Sequence, residues 1–239
     1  MKNSLIAKLI ACLLICPISI NSALGKNTEN YLLGKQLETI LNQKKHGLLK
    51  ELFLQKSFKQ FNKQYLDFRE NYEDSKWLIK TISNDQEKTF LDVQITSKRE
   101  IDNLIYNLNS KQTIKVETFK NKIKSYQVIH EESILNSYNS PLVVKLISPE
   151  KVLTGEKYEI NLIIEKPLDY SIIASGMIIL KNNDNIKISN DKFGIRPNQS
   201  GGLFKYIQAP LEPGFQTISA IITHPEGIYS VTKKIKVDL

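Results

Sequence analysis

Three histidines, His46, His130 and His224, are the only imidazoles in the 239 residues. None is followed four residues later by another, so the paired ligands of a zinc-binding helix are missing. His130-Glu131-Glu132 supplies carboxylates without the second histidine. No serine sits in a Gly-x-Ser-x-Gly elbow. Ser148-Pro149-Glu150-Lys151 fits Ser-x-x-Lys, but the companion elements of penicillin-binding enzymes are absent, so it reads as a strand leading into a turn. The oxygen-rich residues 182–184 and 190–191 lack the glycine and glutamate spacing of a calcium loop and suit ordinary turns. There is no Walker or dinucleotide glycine pattern. These residues imply no metal and no cofactor.

What remains is a set of rings. Phe58, Phe61, Tyr65 and Phe68 recur at steps of three and four after Leu54, and Tyr126, Val128 and His130 alternate on one strand face. The plain reading of such a stripe is core packing. The sharper reading is an apolar ligand pocket lined by Phe61, Tyr65, Trp77, Tyr126 and His130. No catalytic residue is assigned beyond His130 as a candidate acid–base group, since modest shifts carry an imidazole through neutrality.

The elements that must position these rings follow from periodicity. Leu33, Leu37, Ile40 and Leu41 mark one helix face, with Asn27 or Thr28 as its cap and Gly47 near its end. The aromatic stripe marks a second helix. From Ser75 the period becomes two: Trp77, Ile79 and Thr81, then Leu91, Val93 and Ile95, then Ile114 and Val116, with Lys120-Asn121-Lys122 as a turn before residues 123–134. Helices followed by long strands, carried by the Trp77 strand and residues 90–99, 112–118 and 123–133, resemble the NTF2-like (SnoaL-like) cone fold over residues 26–137. That resemblance implies N-terminal helices on a curved antiparallel sheet, in a family of isomerase-type enzymes and many non-catalytic members. No residue role is carried over from it.

Residues 138–140 close a polar linker before Pro141. Residues 141–239 read as short strands separated by Pro210, Pro213-Gly214 and Pro225-Glu226-Gly227. This half resembles an immunoglobulin-like β-sandwich without the cysteine pair of true immunoglobulin domains. Gly201 and Gly202 suit a turn or bulge. The expected fold class is thus α+β followed by all-β.

Residues 1–25 set the expected location. A short basic start with Lys2 and Lys8, an apolar run from Leu9 to Ile20, and the small residues Ala23 and Gly25 form an export leader cut after Gly25. The run is shorter than the roughly 20 residues of a spanning helix. Leu9-Ile10-Ala11-Cys12 has the look of a lipoprotein box, but it would leave too little apolar sequence ahead of it. Both cysteines, Cys12 and Cys16, leave with the leader, so the processed chain has no thiol. Its net charge drops from +8 to +6 with the loss of Lys2 and Lys8. Lysines are scattered rather than blocked, which argues against a nucleic-acid partner. The expectation is an exported, non-catalytic binding or scaffolding module, periplasmic or secreted, that meets an envelope protein or other envelope component. The alternatives are a carrier or isomerase-type enzyme for a small apolar ligand, and a lipid-anchored surface protein.

Overall fold

The computed structural model describes residues 29–85, 88–166, 172–181, 193–198 and 201–239. The expected leader with Cys12 and Cys16, and the oxygen-rich residues 182–184 and 190–191, lie outside the described residues. Two compact units emerge. Among the described residues, the first holds 29–98 and 109–130, and the second holds 99–108 and 131–239.

In the first unit, α1 (Glu29–Asn42) buries Leu33, Leu37 and Leu41 on the face that the four-residue spacing marks. It packs on β1 (Lys76–Asp85). Gly34 lets the two approach, because a Cβ there would lie 3.0 Å from Thr81 Oγ1. A 3₁₀ turn (His46–Leu48) and the four-residue α2 (Leu49–Leu52) lead to α3 (Gln55–Asn71), which buries Tyr65 and Phe68.

Strand β1 pairs antiparallel with β2 (Lys88–Ile101), placing Trp77 opposite Ile95 and Ile79 opposite Val93. Next in the sheet are β3 (Leu104–Phe119) and β4 (Lys122–Ser137). The turns between these long strands carry two consecutive left-handed residues each, Asp102–Asn103 (φ 50° and 63°) and Lys120–Asn121 (φ 49° and 60°). Such pairs match the twist of an antiparallel hairpin.

Strand β1 is the edge of this order, and α1 covers it with side chains. Asn42 grips the Trp77 peptide from both sides: the Trp77 N–H donates to Oδ1 at 2.9 Å, and Nδ2 donates to the Trp77 carbonyl at 2.7 Å. The Ile79 N–H donates to Glu38 Oε2 at 2.8 Å. The neighbouring Lys35 ammonium and that N–H hold the Glu38 carboxyl below its ordinary pKa.

The second unit holds the remaining strands. β4 pairs with β12 (Gly227–Asp238), whose other neighbour is β11 (Gly214–His224), followed by β8 (Ile173–Lys181) and β9 (Arg196–Asn198). The short β6 (Lys151–Leu153) runs parallel to β12. A separate sheet has the order β10 (Gly202–Gln208), β7 (Lys157–Ile164), β5 (Val144–Ile147). Leu162, Ile160, Leu203 and Ile207 from this sheet share one core with Ala220, Ile222, Val231 and Ile235 from the other.

The architecture is therefore predominantly antiparallel sheet with a few N-terminal helices. The expected NTF2-like cone is not what forms. The helices are short, at 14, 4 and 17 residues. The strand expected to end the cone does not end there: residues 131–137 of β4 belong to the second unit, with Lys233 of β12 opposite Glu132. A helix-then-strand pattern fixes local structure, but the two-residue period does not say which neighbour a strand will take.

Candidate functional site

Four of the five residues expected to line a pocket lie in one chain of rings in the first unit. Phe61 of α3 stacks on Tyr65 at 5.7 Å between centroids and meets Tyr126 of β4 edge-on at 6.0 Å. Tyr65 touches Trp77 at 6.3 Å, and Trp77 meets Phe68 at 5.5 Å. The steps along α3 put Phe61, Tyr65 and Phe68 on one helix face, while the even residues of β4 present Tyr126 to that face.

Besides Tyr72, which stacks on Phe68 at 5.1 Å, sequence reasoning missed two members. Phe53, buried between α2 and α3, stacks on Phe61 at 4.7 Å and lies 6.4 Å from Tyr126. Its backbone is tied to the sheet by a parallel bridge to Ile123. The second is His46, whose ring lies 5.2 Å from Tyr65.

The polar atoms of the cluster are mostly matched. Tyr126 Oη donates to Gln64 Oε1 at 2.7 Å, and Trp77 Nε1 donates to Ser75 Oγ at 3.0 Å. Burial pushes the Tyr126 hydroxyl well above its ordinary pKa and the Tyr65 hydroxyl up to about 12. Both stay neutral donors across physiological pH.

Tyr65 Oη lies 2.8 Å from His46 Nδ1. With the hydroxyl donating, the neutral imidazole carries its proton on Nε2, which is buried without a hydrogen-bond partner among the described residues. Burial first, then the charges of Arg69 and Lys44, lowers the His46 pKa. Arg69 lies over the Tyr65 ring, 5.9 Å from its centroid. The group beside the rings is thus a neutral imidazole held by a phenol.

His130 is half-buried on β4. It stands four residues beyond Tyr126, roughly 13 Å along an extended strand. The imidazole at the Tyr65 hydroxyl is His46. His224 accepts the Glu226 N–H at 3.1 Å in the β11–β12 turn. Among the described residues, no three His, Cys, Asp or Glu side chains are grouped to hold a metal ion, and no helix is long and apolar enough to cross a membrane.

The second unit presents rings differently. Register puts Ile147, Asn161 and Phe204 in one row across β5, β7 and β10, with Glu159 and Tyr206 in the next usable row. All lie on the face opposite the core. Phe204 is 53% exposed and Tyr206 81%, in contrast to the 4% of Tyr65. Tyr206 bonds to Glu159, which lowers the Glu159 pKa and raises that of the phenol.

Residues 139–238 match a family described as a domain of unknown function (DUF8623). The matched segment begins just beyond β4 and ends with β12. No curated protein matches the chain. The finding corrects the two family resemblances drawn from the strand pattern. The C-terminal half is similar to this uncharacterised family, and the N-terminal half forms helices and a meander without the NTF2-like fold. Alternating strands and proline-bounded turns are shared by many all-β arrangements, so they could not select one family.

Proposed function

We propose that this chain is an exported, non-catalytic binding module of a bacterial cell envelope, and that its second unit carries the binding surface. One observation carries the reading: Phe204 and Tyr206 stand exposed on the outer face of the β10-β7-β5 sheet, flanked by Glu159 and Asn161. Large aromatic side chains on a rigid sheet are favoured anchors of protein interfaces. The first unit supports the same reading from the other side. Its rings pack against one another, and the His46 imidazole is engaged by Tyr65. His46 and Tyr65 are thus engaged with each other beside the rings. The expected leader gives the compartment, periplasmic or secreted.

The test is fractionation of cells producing the chain, with mass determination of its N-terminus, compared with the double variant Phe204→Ser, Tyr206→Ser. The expected result is a chain that starts at Lys26 and is held in the envelope fraction, with the double variant released while its thermal unfolding is unchanged. A lipid-modified start at Cys12 would replace the soluble-export reading by the anchored one. An unprocessed chain in the cytosol, or retention that ignores the double variant, would overturn the proposal.

A further inference from the structure

Strand β10 ends the sheet order β10-β7-β5, so among the described residues one of its edges carries no strand of that sheet. Which backbone groups point there can be read from the ladder. The Ile164 N–H donates to the Gly201 carbonyl and the Ala209 N–H to the Glu156 carbonyl, both at 2.8 Å. Hydrogen-bonded positions alternate in an antiparallel pair. Residues 203, 205 and 207 therefore bond to β7, while 202, 204, 206 and 208 turn their N–H and C=O groups to the open edge. The ends of that edge are already engaged. The Gly202 carbonyl accepts from Asn198 Nδ2, and the Gln208 carbonyl from Gln216 Nε2 at 3.5 Å. The window between them is Phe204, Lys205 and Tyr206, all exposed.

The side chains of this window point two ways. Phe204 and Tyr206 stand on the outer face. Lys205 lies on the same face as the core residues Leu203 and Ile207, opposite Ile160, yet reaches solvent. A cation on the inward side of an edge strand discourages indiscriminate strand addition. It also decides what can add. A second copy pairing antiparallel through this window would be centred on Lys205 and would set it against its own twin, and like charges directly opposite are destabilising. A strand with an acidic residue at that place, and apolar residues on either side to cover Phe204 and Tyr206, satisfies the edge on both faces.

We propose that the β10 edge accepts an extended segment of a partner protein as an added antiparallel strand, with Asp or Glu opposite Lys205 and apolar residues opposite Phe204 and Tyr206. This deepens the binding-module reading and rests on it. Main-chain hydrogen bonds supply affinity in this mode, and the alternate side chains supply selectivity.

The test uses the full chain and fluorescein-labelled peptides with the cores Thr-Val-Glu-Val-Thr and Thr-Val-Lys-Val-Thr, read by fluorescence anisotropy. The glutamate peptide binds more tightly than the lysine peptide by about tenfold, and Lys205→Glu reverses the order. Tyr206→Pro removes an edge N–H that β7 does not use, so binding of the glutamate peptide is lost while the melting temperature holds. Should that variant fail to fold, the Lys205→Glu reversal still decides. Equal binding of both peptides, or none with a folded chain, overturns the edge proposal and leaves the envelope-retention result untouched. A dimer insensitive to Lys205→Glu would assign the edge to a second copy. Capture of an envelope glycan that survives Tyr206→Pro and fails in Phe204→Ala would assign the face to stacking. Either result would overturn strand addition.

Discussion

Lys233 carries a charge into the face of β12 that also bears Val231 and Ile235, with its side chain 5% exposed. Its ammonium donates to Glu132 Oε2 at 2.7 Å and to Glu150 Oε1 at 2.6 Å. The two carboxylates are not equally sheltered: Glu132 is 36% exposed and Glu150 62%. Burial works against the ammonium, but the two bonds outweigh it and its pKa rises. A raised cation pKa contributes stability fully below the unfolded lysine value and loses it as pH climbs through the folded value. The perturbation of choice is a set of four variants. Glu150→Ala removes the wetter partner and costs about 0–1 kcal/mol. Glu132→Ala removes the drier one and costs about 1–2 kcal/mol. Their combination strands a buried ammonium and costs about 3–5 kcal/mol, more than the two singles together. Lys233→Met removes the charge that needed partners, while both carboxylates can turn to water, so it stays within about 1 kcal/mol of the parent. Urea unfolding at pH 7 reads all four. Additive single variants, or a Lys233→Met variant as weak as the double, would refute the claim that the cost lies in an uncompensated buried charge.

Other consequences follow from the first unit and the sheet contacts. His46 is held neutral in the fold, so the unfolded chain takes up its proton first as pH drops below about 6.5. Stability should therefore fall between pH 7.5 and 5 in urea titrations, and His46→Gln should flatten that slope relative to the parent. Phe53→Ala removes the ring that stacks on Phe61 and should cost about 3–5 kcal/mol by calorimetry or urea. Asn42→Ala should cost about 1 kcal/mol, because the Trp77 peptide at this exposed edge can turn to water, and hydrogen exchange at Trp77 should quicken. At Gly202 an added Cβ would lie 2.0 Å from the Leu162 carbonyl oxygen. Gly202→Ala must therefore push β10 off β7 and should lower stability by about 1–3 kcal/mol in a thermal melt.

Where a residue's fate depends on its own neighbours in sequence, the pattern was readable. Leu33, Leu37 and Leu41 are buried as their spacing implies, as are Ile79, Leu91, Val93 and Ile95 on the strands. Lys120-Asn121 turns the chain where a turn was expected, with positive φ at both residues. What lay hidden depended on distant partners. His46 and Phe53 sit in a 3₁₀ turn and beside a four-residue helix, too short to show a period, so neither announced itself as part of the ring cluster. Strand β12 alternates apolar and polar residues, the mark of one wet face, yet Ser230, Thr232 and Lys234 are buried. Their chemistry fits burial because it is answered locally. The Thr232 and Ser219 hydroxyls lie 2.8 Å apart, and the Ser230 hydroxyl donates to the Ala220 carbonyl at 3.1 Å.

The candidate site turned on the same distinction. Phe61, Tyr65, Trp77 and Tyr126 carry aromatic side chains of the kind that can line a pocket, but an aromatic stripe at helical spacing is equally what a helix needs to bury against a sheet. Ring type cannot separate the two; what a ring touches can. Tyr65 is packed between Phe61 and Trp77, whereas Tyr206 leaves most of its surface to solvent while its hydroxyl bonds to Glu159. Ordering a ring at the surface without burying it gains little for folding, since the transfer of apolar area from water is what stabilises. That is why the proposed binding surface is placed at this ring. On the proposed strand addition, the edge beneath it, open among the described residues at Phe204 and Tyr206 and flanked by Lys205, would favour a strand of opposite charge.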